Sequence, residues 1–149
     1  MRAVIQRVSQ AEVRVGTIIT GKINRGILVL VGIHRDDSER DVAWMAEKLV
    51  HLRIFEDADG LMNLSLLDIN GEMLIVSQFT LLGDCRKGRR PSWSSAAPPD
   101  RASSLYLNLV SSVEKLGIRT ATGEFQAMMD VSLVNNGPVT LMLDSHRKI

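Results

Sequence analysis

The sequence predicts a mixed α/β (α+β) fold, a mixed, strand-rich sheet with two packed helices. Three observations predict it. Strand-like patterns fill the first third of the chain, two continuous apolar runs have the length and composition of strands buried on both faces, and only two stretches repeat at helical spacing. The two helical stretches are separated by hairpin-like segments, which argues against regular βαβ winding. A length of 149 residues fits a single domain, residues 1–149. Apolar residues at 45% and charged residues at 23% exclude a disordered, collagenous or coiled-coil chain.

Residues 3–15 alternate in part (Val4, Val8, Val13, Val15), with Gly16 and Gly21 as punctuation, and residues 26–33 are a continuous apolar run. Ser38 followed by Asp41 is a helix start of the capping-box type, and Val42, Met45, Ala46, Leu49 and Leu52 then predict a helix over 39–53. Ile54-Phe55 before Asp57-Ala-Asp-Gly60 reads as strand and turn. Residues 72–79 form a second buried strand, and 91–99 are a Pro- and Ser-rich loop. Asp100 opens a second helix whose stripe, Ala102, Leu105, Leu109, Val113 and Leu116, is ended by Gly117. Two last strands, 131–135 and 139–143, flank a turn at Asn136-Gly137-Pro138.

Most functional classes lose support from the residues themselves. No apolar stretch approaches the roughly 20 residues of a membrane-crossing helix. Gln6 and Arg7 interrupt the apolar region that a secretion signal needs, so a cytoplasmic location and no membrane partner are expected. Cys85, the only cysteine, has no CxxC partner. His34, His51 and His146 lack ligand spacing and read as structural or solvated, so no metal is expected. Asp36-Asp37, and Asp57 with Asp59, sit in turn-like segments where acids cap and solvate. Isolated glycines give neither a dinucleotide fingerprint nor a P-loop, so no cofactor is expected. Ser77 has no flanking glycines of the kind that build a serine-hydrolase elbow.

Three features survive. An interior strand delivers Ser77, Gln78, Phe79 and Thr80 at its carboxyl end, either as a site or as a strand running into a loop. Asn136-Gly137-Pro138-Val139-Thr140 is either an ordinary turn or a special one. Between Cys85 and Pro99 there are four cations, Arg86, Lys87, Arg89 and Arg90, and no acid, within a chain of net charge +1. Arginines clamp phosphates bidentately and Trp93 offers a stacking surface, so RNA is the favoured partner over a merely solvated loop.

The sequence resembles the D-aminoacyl-tRNA deacylases along nearly its whole length. The resemblance rests on Met1-Arg-Ala-Val-Ile-Gln-Arg-Val8, Leu52-Arg-Ile-Phe55, Met62-Asn-Leu64, Ser77-Gln-Phe-Thr-Leu81, Arg86-Lys-Gly-Arg-Arg-Pro91, Ala96-Ala-Pro-Pro99, Val131-Ser-Leu-Val-Asn135 and Gly137-Pro-Val-Thr140. It implies a D-aminoacyl-tRNA deacylase-like fold and hydrolysis of the ester between a D-amino acid, or mischarged glycine, and the 3′ end of tRNA, which is chiral proofreading in translation. It further implies a homodimer with active sites at the subunit interface, where a cis Gly137-Pro138 of one subunit enters the site of the other. Arg7 supports that element, and Arg86, Lys87, Arg89 and Arg90 hold tRNA. Catalysis falls to Ser77, Gln78, Phe79 and Thr80, with the 2′-hydroxyl of the terminal adenosine assisting water. Phe79 and Thr80 are expected as oxyanion donors. Thr80 is the residue to nominate as nucleophile, yet the sequence offers it no neighbouring base.

A different class of function also fits the residues. A non-catalytic RNA-binding module would use Arg86 to Arg90 and Trp93 and keep Gly137-Pro138 as a turn.

Overall fold

A computed structural model describes residues 1–149. In chain order the elements are β1 (Arg2–Val15), β2 (Ile18–Ile23), β3 (Gly26–Gly32), α1 (Glu39–His51), β4 (Phe55–Glu56), β5 (Met62–Leu64), β6 (Glu72–Ser77), a 3₁₀ turn (Phe79–Leu82), α2 (Pro99–Lys115), β7 (Arg119–Thr122) and β8 (Asp130–Asp144). The mixed, strand-rich sheet with two helices is the fold that the apolar patterning predicts.

β1 organises the sheet because it is long enough to serve three partners. On one edge it pairs antiparallel with β3 through Arg2–Val8 and with β2 through Ala11–Val15; on the other it pairs with β8 along most of its length. β6 continues the sheet parallel to β3, and β7 parallel to β6. The outer edge of β8 pairs with no strand of this chain. β2 curls back toward β7, where a Cβ on Gly21 would meet the carbonyl oxygen of Thr122 at 2.3 Å, so only glycine permits the approach.

The continuous apolar runs have a direct cause. Odd-numbered residues of β3 and β6, such as Ile27, Val29, Met73 and Ile75, face the main core under α1 and α2, while Leu28, Leu74 and Val76 join Val8, Val13 and Ile23 in a second cluster on the opposite face. Both faces are covered, so neither strand alternates with polar residues.

α1 starts as its sequence predicts: the N–H and hydroxyl of Ser38 both donate to the Asp41 carboxylate at 2.9 Å. α2 begins at Pro99 rather than Asp100, because a proline at the first helical position costs no hydrogen bond. It ends at Gly117, whose φ of +94° no other residue adopts easily.

Two expectations are corrected. The buried strand ends at Ser77, not 79: the Gln78 N–H still reaches Val31 O at 2.7 Å, and the backbone then tightens into the 3₁₀ turn. The two last strands are one element. β8 runs through 136–138 without reversing, since Asn135 pairs with Val8 and Thr140 with Gln6. Four residues therefore stand opposite Arg7 alone, a wide bulge in place of a turn. β5 and β7, short and weakly patterned, have no separate signal in the sequence.

Candidate active site

The first group of singled-out residues converges on the carboxyl end of β6. Ser77 closes the strand, half-buried beside β3. Gln78 turns the chain, and its side-chain amide donates to the Thr80 hydroxyl. Phe79, 56% exposed, meets Trp93 edge-on with ring centroids 5.3 Å apart. Trp93 also lies against Gly83, where a Cβ would come within 2.6 Å of its ring. Phe79 and Thr80 open the 3₁₀ turn, where backbone N–H groups have no intrahelical acceptor.

Ser77, Gln78 and Phe79 line a mostly apolar cavity of about 680 Å³ together with Val31, Val76, Trp93, Phe125, Met128 and Met129, while Thr80 lies outside its lining. Its size is that of a small-ligand site with a few polar groups in the lining, here Ser77, Gln78 and Gln126. Phe125, Met128 and Met129 belong to a loop with no signal in the sequence, because a short aromatic and methionine stretch carries no period. On the other side of the turn lies a polar cavity of about 910 Å³, where Arg2, Arg86 and Lys148 face Asp84 and Asp144. Its opposed charges give it no strong preference for an anion or a cation.

Gly137 and Pro138 stand elsewhere. They occupy the bulge of β8, joined by a cis peptide bond. Arg7, 6% exposed, braces the bulge: its Nε donates to Asn136 O at 3.2 Å and its Nη1 to Ile54 O at 2.7 Å. A Cβ on Gly137 would lie 2.7 Å from Arg7 Nη2, and the φ of Gly137 is +117°, so glycine is required on two counts. The sheet register separates the two groups. Ser77 pairs with Val31, and Val31 with Ala3. Arg7 lies four residues further along β1 and β8 one strand beyond. Three strand spacings and four residues amount to roughly 20 Å. One chain does not bring Gly137-Pro138 to its own Ser77–Thr80.

The cationic segment is a closed loop. Asp84 and Ser92 exchange backbone hydrogen bonds of 2.8 and 3.0 Å at its base, and residues 85–90 are exposed. Asp84, just outside the acid-free stretch, grips Arg86 through Nε at 2.9 Å and Nη2 at 2.7 Å. This contact holds the Asp84 carboxyl well below the usual carboxylate range. Arg86 is thus engaged within the protein, while Lys87, Arg89 and Arg90 form no ion pair.

The fold also assembles a cluster that spacing did not reveal. His34 and His146 approach to 5.1 Å between ring centroids, and His146 Nε2 lies 2.8 Å from Asp37 Oδ1 and 3.5 Å from Asp41 Oδ1. Burial lowers the pKa of His34. Asp37, Asp41 and His146 are the residues close enough to share a metal ion. The buried Asp37 carboxylate is already engaged by the Met1 ammonium, His146 and the His34 N–H, a set that satisfies it without an ion.

The family model described as D-Tyr-tRNA(Tyr) deacylase matches residues 4–144. A D-aminoacyl-tRNA deacylase of Thermosipho africanus is 60% identical over 147 residues, covering 99% of each chain. A solved structure named c-Myc DNA Unwinding Element Binding Protein superimposes with a TM-score of 0.91 at 38% identity, covering 97% of this chain and 98% of its own. Another, described as a probable eukaryotic D-amino acid tRNA deacylase, has a TM-score of 0.81 at 20% identity over 95% and 97% of the two chains, and supports the fold alone.

Proposed function

The chain belongs to the D-Tyr-tRNA(Tyr) deacylase family, and from that premise we propose how this D-aminoacyl-tRNA deacylase, a hydrolase, selects and cleaves its substrate. It hydrolyses the ester between a D-amino acid, or mischarged glycine, and the 3′ end of tRNA, and it rejects L-aminoacyl esters. It does so in the cytoplasm as a homodimer of single-domain chains, residues 1–149, with each site completed by the Gly137-Pro138 of the other copy.

The observation that carries this reading is the separation of the two motifs. Gly137-Pro138 is exposed on a braced bulge of the unpaired β8 edge, roughly 20 Å by strand spacing from the turn at Ser77–Thr80. An exposed 15-residue edge strand, carrying Val134 and Met142 at 48% and 63% exposure, invites pairing with another copy. A second chain is therefore the natural source of the missing half-site.

In the assembled site the terminal adenosine enters the apolar cavity beside Phe79 and Trp93, where stacking on an aromatic ring is worth about 1–3 kcal/mol per base. Peptide carbonyls of the partner's Gly137 and the partner's Pro138 accept the substrate α-ammonium. With ammonium and ester both fixed, an L side chain is driven into the main-chain wall and a D side chain points outward. Glycine has no side chain to clash and is admitted. The N–H groups of Phe79 and Thr80 stabilise the developing oxyanion, a contribution of about 10² to 10³ in rate for one such donor. The 2′-hydroxyl of the adenosine assists the attacking water, and Lys87, Arg89 and Arg90 hold tRNA phosphates. Ser77 and Gln78 shape the turn that aims these donors.

Incubation with D-tyrosyl-tRNA and L-tyrosyl-tRNA tests the reading: release of the D-amino acid alone is expected, and equal release of both refutes stereochemical selection. The name of the solved neighbour at 38% identity, a DNA-element-binding protein, together with the exposed cationic loop, favours a second reading as a nucleic-acid-binding module. Salt-sensitive tRNA binding without any turnover of the D-ester is the result that selects it.

A further inference from the structure

The bulge that carries Gly137-Pro138 is closed at its base by two side chains, and the closure rests on nothing assigned so far. Val8↔Asn135 and Gln6↔Thr140 are the ladder pairs on either side of Arg7. A bulge of this width disrupts the ladder locally and leaves backbone groups in need of other partners. Asn135 supplies two of them: its Nδ2 donates to Arg7 O and to Val139 O, both at 3.0 Å. The amide is oriented from its other end, because the Thr140 hydroxyl donates to Asn135 Oδ1 at 3.3 Å. The Gln6 side-chain amide in turn donates to that hydroxyl at 3.4 Å. Both acceptors of Nδ2 are carbonyl oxygens, so only one orientation of the Asn135 amide satisfies the geometry.

We propose that Asn135 and Thr140 are positioning residues for chiral selection, fixing the loop 136–139 across its base, beside the bond of Arg7 to Asn136 O. The inference rests on the proposed role of Gly137-Pro138 and deepens it. Arg7 bonds the bulge at its first residue through Asn136 O, and the Asn135 amide ties its last residue, through Val139 O, to the Arg7 carbonyl of β1. A main-chain wall that sorts mirror-image esters by clash discriminates only as sharply as it is held, since displacements near 1 Å are enough to cost large factors in rate.

Asn135→Asp tests this at constant shape, because it replaces the donor by an oxygen facing two carbonyl oxygens. Thr140→Val removes the hydroxyl that orients the amide, and Thr140→Ser restores it. The readout is the ratio of kcat/KM for D- and L-tyrosyl-tRNA, measured beside the thermal midpoint and the assembly mass. For Asn135→Asp the expected result is a narrowing of the D/L ratio by about tenfold or more, with loss on the D-ester and gain on the L-ester. Thr140→Val shifts in the same direction by a smaller factor, and Thr140→Ser stays near the parent. If Asn135→Asp fails to fold, the Thr140 pair carries the test. Folded variants of parental mass with an unchanged D/L ratio overturn the assignment. Gly137→Ala, run alongside, separates the two levels. A changed ratio there with none in the Asn135 and Thr140 variants removes only the clamp. An unchanged ratio in all of them removes the role of Gly137-Pro138 as well.

Discussion

Thr80 is the most tempting nucleophile in the chain, and its surroundings argue against that role. Its hydroxyl has one side-chain partner, the Gln78 amide, which is a donor and cannot take a proton. Thr80→Ala is therefore expected to keep kcat within about tenfold of the parent. By contrast, a substrate ending in 2′-deoxyadenosine is expected to lose a factor of about 10² or more, the usual scale of general acid–base assistance. Near-total loss in a folded Thr80→Ala reverses the assignment. The cationic loop yields to the same kind of reasoning. Because Asp84 already grips Arg86, the salt dependence of tRNA binding should reflect Lys87, Arg89 and Arg90. Replacing any of these three by Ala is expected to reduce the slope of log K against log salt by about 0.7 to 0.9, whereas Arg86→Ala leaves the slope in place. An equal loss for Arg86→Ala shows that the ion pair opens on binding. Residue types were legible in the sequence and pairings were not: Asp84 lies one position outside the acid-free window, and nothing in a count of charges reveals which arginine it holds.

Among the elements, α1 offers the clearest link from sequence to stability. Burial raises the Asp41 carboxyl, but hydrogen bonds from the Ser145 side chain and from the N–H and hydroxyl of Ser38 outweigh it and hold the pKa at about 2. A depressed carboxylate contributes stability that is complete above its unfolded value near 4 and is lost as pH falls toward 2. Asp41→Ala is expected to cost about 1 kcal/mol at neutral pH, the usual worth of a helix cap, and to flatten the acid limb of the stability curve. Thermal midpoints from pH 7 to pH 2 measure both effects, and a parental acid limb in the variant contradicts the cap. Such a helix is readable because its signals are local: a cap and a stripe within fifteen or so residues. β8 reads from sequence as two strands and a turn because its continuity is a property of β1. Only the pairing of Asn135 with Val8 and Thr140 with Gln6 shows that the chain does not reverse. The same holds for the end of β6, where strand gives way to 3₁₀ turn in the middle of the Ser-Gln-Phe-Thr motif.

At the scale of the whole molecule, the sheet explains why the proposed site calls for two chains. β1 spends one edge on β2 and β3 and the other on β8, so the last strand ends the sheet with its outer edge free and Gly137-Pro138 exposed along it. The apolar cavity and its turn lie at the far end of β6, behind two intervening strands. Both motifs were visible in the sequence, but their separation was not, since distance across a sheet depends on register rather than on position in the chain. Subunit complementation tests the shared site most directly. Gly137→Ala disables the element that a chain donates, and Ala127→Trp fills the cavity that it keeps. Each variant alone should be inactive on D-tyrosyl-tRNA. After co-refolding, half of the dimers are mixed and each mixed dimer regains one intact site, so activity should return to about a quarter of the parent. Mixed dimers that form and stay inactive, or a stereoselective monomer, would contradict a site built from two chains.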